Sequence, residues 1–283
     1  MKRGLALFLA ALLTALTLTA CGGPGGGSDP LSAARANMDA VTSLDGTMVM
    51  ELDMEVAGEV MESVTTMNMT VFNDPMRLKM DMKMELGLMG EAVTVPYMEV
   101  YAEEDGAGGY KLYMQQDGAG WQVQQATLAE LEEYDFSGEM GGYMDSVSSF
   151  TQAGTESVDG VEAYKYTGVI TGREMEEVMR SSGALDSMGS SLGLSGSDLE
   201  SMVTGLGDIT VSLWISREDL FPIRYEMDMT DIMDALVRNI VESAGGAEAG
   251  MTMSIPKMTI VLTCSHINSA TEFTIPDEAR SAS

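Results

Sequence analysis

The chain has 283 residues and a formal net charge of −29, with 44 aspartates and glutamates against 15 lysines and arginines. An acidic excess of this size repels phosphate backbones, which argues against a nucleic-acid partner. Hydrophobic residues make up 45% of the chain, enough for a sizeable folded core.

The first element in chain order is an N-terminal export signal. Lys2 and Arg3 precede an apolar run that ends in Leu18-Thr19-Ala20-Cys21, the pattern of a lipobox. Residues 1–20 are therefore predicted to be a lipoprotein signal peptide, and Cys21 the lipidated first residue of the mature protein. We expect the lipid anchor to hold the protein at the extracytoplasmic face of the cell membrane, with residues 21–30 as a flexible Gly-rich tether.

A helix and then long strands are predicted to follow the tether. Apolar residues recur at helical spacing between Leu31 and Leu44, whereas from Gly46 the period changes to two. Segments 48–56, 61–71 and 76–86 alternate apolar and polar residues, which is typical of antiparallel strands with one dry face. Methionine occupies most of the apolar positions.

The rest of the chain predicts further strands and a few helices. Strands are expected at 93–102, 110–115, 121–125, 162–171, 209–216, 223–229 and 258–267, and the clearest helix at 231–243, with a doubtful one around 143–150. A helical and Gly/Ser-rich insertion is expected around 173–206. The fold class is therefore predicted as α+β, a strongly curved antiparallel sheet with helices packed in its concave face, in a single domain of residues 31–283.

Several segments resemble a family of lipoprotein carriers. The segment Trp214 to Arg224, a tryptophan followed by a turn and a proline-led strand, resembles the LolA/LolB-like and LppX-like carriers, although Ser216 stands where the pattern usually has aspartate. Segments 97–101, 117–121, 158–164 and 273–279 resemble uncharacterised lipoproteins of bacteria with a single membrane. The resemblance implies an open half-barrel with a hydrophobic cavity between sheet and helices, which in better-known relatives takes acyl chains.

The 27 methionines allow three interpretations. They serve as core filler in place of leucine and isoleucine, as a deformable lining for an apolar ligand, or as soft thioether ligands for Cu(I). Copper is disfavoured because residues two apart on a strand are about 6.6 Å apart, too far for one small ion. The predicted lining residues are Met50, Met54, Met67, Met69, Met80, Met82, Met84 and Trp214.

Catalysis finds little support in the sequence. Gly189-Ser190-Ser191-Leu192-Gly193 fits the nucleophile pattern G-x-S-x-G, but it lies in a predicted Gly/Ser loop and would need His266, the only histidine. We therefore expect no catalytic residues, no metal site, no cofactor and no enzymatic activity. Cys264 is expected to be an inert core thiol, without a disulfide partner if Cys21 is acylated.

The predicted function is non-catalytic binding or carriage of an apolar ligand, with lipid as the expected ligand, by a membrane-anchored lipoprotein with a methionine-lined cavity. The alternative is a structural or protein-interaction module of the cell envelope that has a solid core. The two hypotheses differ in whether space for a guest exists between sheet and helices.

Overall fold

The computed structural model describes residues 29–88, 91–116, 119–128, 131, 144, 150–174, 205–243 and 252–282. The strands within these ranges are β1 (Ser43–Val56), β2 (Glu59–Asn73), β3 (Met76–Leu88), β4 (Glu91–Glu104), β5 (Tyr110–Gln116), β6 (Gln122–Ala126), β7 (Phe150–Val158), β8 (Val161–Ile170), β9 (Ile209–Ser216), β10 (Pro222–Asp228) and β11 (Met253–Ser265). The helices are α1 (Pro30–Met38), α2 (Thr230–Ser243) and α3 (Asp277–Arg280). The predicted signal peptide, Cys21 and most of the 173–206 insertion lie outside the described residues.

The described strands form one antiparallel sheet of eleven strands in the order β6-β5-β4-β3-β2-β1-β11-β10-β9-β8-β7. The sheet is not closed, and β6 and β7 are its two edges. The C-terminal strand β11 inserts between β1 and β10 and so joins the two halves of the sheet. A large antiparallel sheet with few helices among the described residues confirms the coarse part of the predicted fold class.

Short hairpins explain why consecutive strands pair. Ala57 and Gly58, with φ of 53° and 86°, turn β1 into β2, and Asp159 and Gly160, with φ of 49° and 86°, turn β7 into β8. Two consecutive residues at positive φ produce the turn whose twist matches that of paired strands. The Asp-Gly pair at residues 159–160 is a strong hairpin signal in the sequence, and the turn is present.

The first helix and strand β7 differ from the sequence prediction. The first helix ends at Met38, and Ser43 already belongs to β1, so the helical spacing between Leu31 and Leu44 spanned two elements. Strand β7 extends from Phe150, at the end of a segment predicted as a doubtful helix, and seven of its nine residues are exposed. An edge strand with so little burial has no apolar alternation, and its pairing with β8 supports it instead.

One face of the sheet carries the main core. Leu213, Tyr225 and Leu262 are buried there together with Met69 and Met80. We call this the core face and the opposite side the outer face. Residues of α1, including Ala34 and Met38, and of α2, including Ile232 and Leu236, belong to the same buried cluster.

Helix α2 is fixed to β11 by polar contacts as well as by its apolar side. The Thr230 Oγ1 atom accepts a hydrogen bond of 3.0 Å from the Met258 backbone N–H, and the Asp234 carboxylate accepts one of 3.0 Å from the Ile255 N–H. Ile232 and Leu236, four residues apart, are buried, as predicted for this helix. These contacts hold the helix against the core face.

Candidate functional site

The strand register places the seven predicted methionines on one face. Met50 of β1 lies opposite Thr65 of β2, which lies opposite Met84 of β3. The neighbouring rows pair Met67 with Met82 and Met69 with Met80 in β2 and β3, and Met54 with Met61 in β1 and β2. Because side chains alternate along each strand, all of these side chains share the core face. We call Met50, Met54, Met67, Met69, Met80, Met82 and Met84 the methionine face.

Burial decreases along this face. Met69 and Met80 are only 6% and 3% exposed and belong to the main core. Met67 is partly buried and packs against that core. Met50 and Met84 lie further toward the β1–β2 turn and are half-buried. The methionine face therefore begins inside the packed core and continues into a region where its thioethers are more accessible.

Two hydroxyl groups on the core face are buried without a hydrogen-bond partner. They are Thr65 Oγ1, in the middle of the methionine face, and the phenol of Tyr166 on β8. Thr65 is 6% exposed and Tyr166 is 4% exposed. Burial raises the pKa of the Tyr166 phenol, and the nearby charge of Asp29 raises it further. Unpartnered buried polar groups are rare in folded proteins.

Trp214 does not share the methionine face, which corrects its predicted place in the lining. Its neighbours Leu213 and Ile215 occupy core-face positions of β9, so the indole points to the outer face. There the ring lies 4.8 Å from the Lys165 ammonium and 5.4 Å from the Arg224 guanidinium, measured to the ring centroid. Its indole N–H donates a 2.9 Å hydrogen bond to Glu156. Trp214 therefore packs between two cations on the outer face and does not belong to the methionine face.

Cys264 and His266 take separate positions near the end of β11. Cys264 is 4% exposed, and burial raises the pKa of its thiol to about 12. His266 is exposed, and its Nδ1 lies 2.9 Å from an Asp45 carboxylate oxygen. Ser191, the serine of the G-x-S-x-G pattern, lies outside the described residues. A buried, protonated thiol has little nucleophilic character.

The sequence analysis missed a second hydrophobic cluster on the outer face. Tyr101 and Tyr113 are buried there against Ile275 and Ala279 of the C-terminal segment. Phe273 contacts Phe72 and Tyr101 with ring centroids 6.0 and 5.9 Å apart. The signal was present in the sequence, because Phe72, Tyr101 and Tyr113 are large aromatic residues at positions that alternate with the core-face residues.

Arg77 fastens the C-terminal segment to this cluster. Its guanidinium lies 4.7 Å from the Phe273 ring centroid, donates a 2.7 Å hydrogen bond to the Phe273 carbonyl and pairs with Glu272 at 2.6 Å. Arg280 of α3 pairs with Glu103 of β4 at 2.8 Å. Residues 272–280 therefore form a strap across the outer face of β2 to β6, which we call the C-terminal strap.

The described residues contain neither a cluster for a metal ion nor a membrane-spanning helix. No three His, Cys, Asp or Glu side chains among them are grouped so that they could hold a metal ion. In the same part of the chain, each helix is too short or too polar to cross a bilayer. The candidate site is the methionine face with its unpartnered Thr65 hydroxyl.

Comparison with solved structures gives matches of low sequence identity. Two solved structures are similar in arrangement: LprF from Mycobacterium bovis, with 13% identity over 88% of this chain and 95% of that chain and a TM-score of 0.47, and the lipoprotein LppX from Mycobacterium tuberculosis, with 14% identity over 87% and 100% and a TM-score of 0.43. LppX was also named by the sequence resemblance, whereas the LolA/LolB part and the single-membrane part stay predictions. Identities of 13% and 14% are too low to transfer a ligand from these two proteins to this chain.

The curated proteins contain no significant match to this chain. A family model, by contrast, matches residues 31–283, which is all of the given chain after the predicted signal peptide and tether. The chain therefore belongs to the DUF6612 family, a family of unknown function.

Proposed function

We propose that this protein is a membrane-anchored, extracytoplasmic lipoprotein that binds a lipid without chemically changing it. The lipid would occupy a methionine-lined cavity between the strongly curved sheet and the helices in its concave face. The observation that carries the proposal is the methionine face itself. Seven methionines from three adjacent strands share one side of the sheet, and their burial falls from the packed core toward the β1–β2 turn.

Methionine suits a surface that must fit a flexible apolar ligand. Its unbranched side chain has several rotatable bonds and a polarisable sulfur, so it repacks at low cost around guests of different shape. Met69 and Met80 are packed in the core, whereas Met50, Met67 and Met84 keep partial exposure. The partial exposure favours a lining over core filler.

The anchor follows from the N-terminal sequence. A diacylated Cys21 would hold the protein stably, because two acyl chains bury enough methylene groups at about 0.8 kcal/mol each. The first six residues of the tether after Cys21, Gly22 to Gly27, are five glycines and one proline. Such a flexible tether would let the folded part move near the bilayer surface. The anchor keeps the domain beside a supply of lipid.

Lipid content of matched variants tests the proposal. The full-length chain is purified from membranes, extracted with organic solvent and analysed by mass spectrometry. We expect bound lipid in the wild type and in Val49→Asp, whose new carboxylate points to the outer face. Met50→Asp should lose at least about tenfold of the lipid, because it places an unpaired charge in the apolar lining.

Two outcomes would contradict the proposal. One is a wild-type chain that carries no lipid, and the other is equal lipid content in Met50→Asp and Val49→Asp. Either result would favour a protein-interaction module with a solid core. Far-UV circular dichroism of both variants checks that the sheet has formed.

A further inference from the structure

Thr65 places a buried hydroxyl among the thioethers of the methionine face. Its Oγ1 atom is buried and has no hydrogen-bond partner. Met50 and Met84 lie directly across from it on the two neighbouring strands. Thioether sulfur is at best a weak acceptor and never a donor, so these neighbours do not replace the water that the hydroxyl loses.

Three threonines on the outer face of the same part of the sheet have hydrogen-bond partners. On the outer face, Thr47 Oγ1 donates to Asn68 Oδ1 at 3.1 Å and Thr70 Oγ1 donates to Asp45 at 2.7 Å. Thr259 Oγ1 likewise donates to Glu51 at 3.3 Å. The unpartnered state of Thr65 is thus specific to its position on the core face, where an unmet hydrogen bond costs free energy.

The charges near this face restrict what the missing partner can be. The basic residues of β1 to β4 are Arg77, Lys79 and Lys83, all on β3 at positions that alternate with the methionines and therefore on the outer face. An ionised carboxylate or phosphate buried beside Thr65 would find no cation on the core face of these four strands to compensate it. A neutral oxygen that accepts one hydrogen bond fits, because the threonine O–H then has a partner and no charge is buried.

We propose, building on the lipid-binding role above, that the ligand is an ester-bearing lipid whose carbonyl oxygen accepts a hydrogen bond from Thr65 Oγ1. The methionines would contact the hydrocarbon on both sides of the ester. Thr65 would then set the depth at which the lipid sits along the strands and would discriminate esters from plain hydrocarbon chains.

A competition between two uncharged probes of equal chain length tests this assignment. The full-length chain, purified from membranes in detergent, is incubated with equal amounts of methyl palmitate and octadecane supplied on cyclodextrin. After gel filtration, gas chromatography with mass spectrometry gives the ratio of retained ester to retained alkane. Wild type is compared with Thr65→Val, which keeps the shape of the side chain, and with Thr66→Val, the same change on the outer face.

We expect Thr65→Val to lower the ester-to-alkane ratio about fivefold to tenfold, the effect of one hydrogen bond, while alkane retention stays at the wild-type level. Thr66→Val should leave the ratio unchanged. An unchanged ratio in Thr65→Val, or an equal fall in Thr66→Val, would overturn the assignment of Thr65 alone. Retention of neither probe by the wild type would instead overturn the proposed lipid binding, and this inference with it.

Discussion

Burial controls what the few reactive side chains of this protein can do. The Cys264 thiol is enclosed at the end of β11, where desolvation disfavours its charged form. The Tyr101 and Tyr113 phenols on the outer face have their pKa values raised by burial first and by the neighbouring carboxylates of Glu99 and Glu103 second. In each case burial stabilises the neutral form.

We expect Cys264 to resist alkylation in the folded protein. The thiolate is the nucleophile, and burial raises the thiol pKa from 9.0 to about 12. Iodoacetamide labelling, followed by mass spectrometry, should therefore stay slow as the pH rises from about 8 to about 10 and become fast only in urea. The Cys264→Ala variant gives the background. Rapid labelling of folded wild type at about pH 8 would contradict the buried position.

The raised pKa of Cys264 makes the stability of the folded protein depend on pH. The unfolded chain would lose the Cys264 proton near its ordinary pKa of 9.0, whereas the folded chain keeps it to about 12. The stability that the Cys264 thiol contributes is therefore fully present below pH 9.0 and is lost as the pH rises from 9.0 to about 12. The buried tyrosines act in the same direction, because their pKa values are also raised.

At the scale of elements, the sheet is covered differently on its two sides. The core face is covered in part by α1 and α2, whereas the outer face of β2 to β6 is covered by the C-terminal strap. The strap is held through Phe273, Arg77 and Arg280, so it stabilises the strands behind the methionine face. Its role is structural.

Phe273→Ala should destabilise the protein by about 2 kcal/mol. The half-buried ring loses its contacts with Phe72 and Tyr101 and its position beneath the Arg77 guanidinium. Urea unfolding followed by circular dichroism measures the change, and the exposed neighbour variant Thr274→Ala should shift the midpoint little. Equal midpoints for the two variants would show that the strap does not stabilise the sheet through Phe273.

Alternation determined how much of the site was predictable. Strands β1 and β3 have one dry and one wet face, so their apolar residues revealed both the strands and the shared side of the methionines. The exposed edge strand β7 has no such contrast and was missed. Trp214 was predicted to belong to the lining, although Leu213 and Ile215 on either side held the core-face positions. The alternation of side chains along β9 would have placed Trp214 on the outer face.

At the scale of the whole molecule, pairing across distant sequence was the least predictable feature. Nothing local in segment 253–265 indicates that it inserts between β1 and β10, yet this insertion unites the two halves of the sheet. The C-terminal strap is equally non-local, since Arg77 contacts Phe273 almost two hundred residues later. Hydrophobic patterning gives the dry side of each strand but carries no information on which strand will be its neighbour.

The lipid cavity proposed above would be lined by the core face of β1 to β3. Photo-crosslinking with a methyl palmitate analogue that carries a diazirine in its chain tests this lining, because peptide mass spectrometry locates each adduct on a single residue. We expect adducts on Met50, Met67 and Met84. Adducts on the alternate outer-face residues Val49, Thr66 and Lys83, or no adduct on these strands, would contradict it.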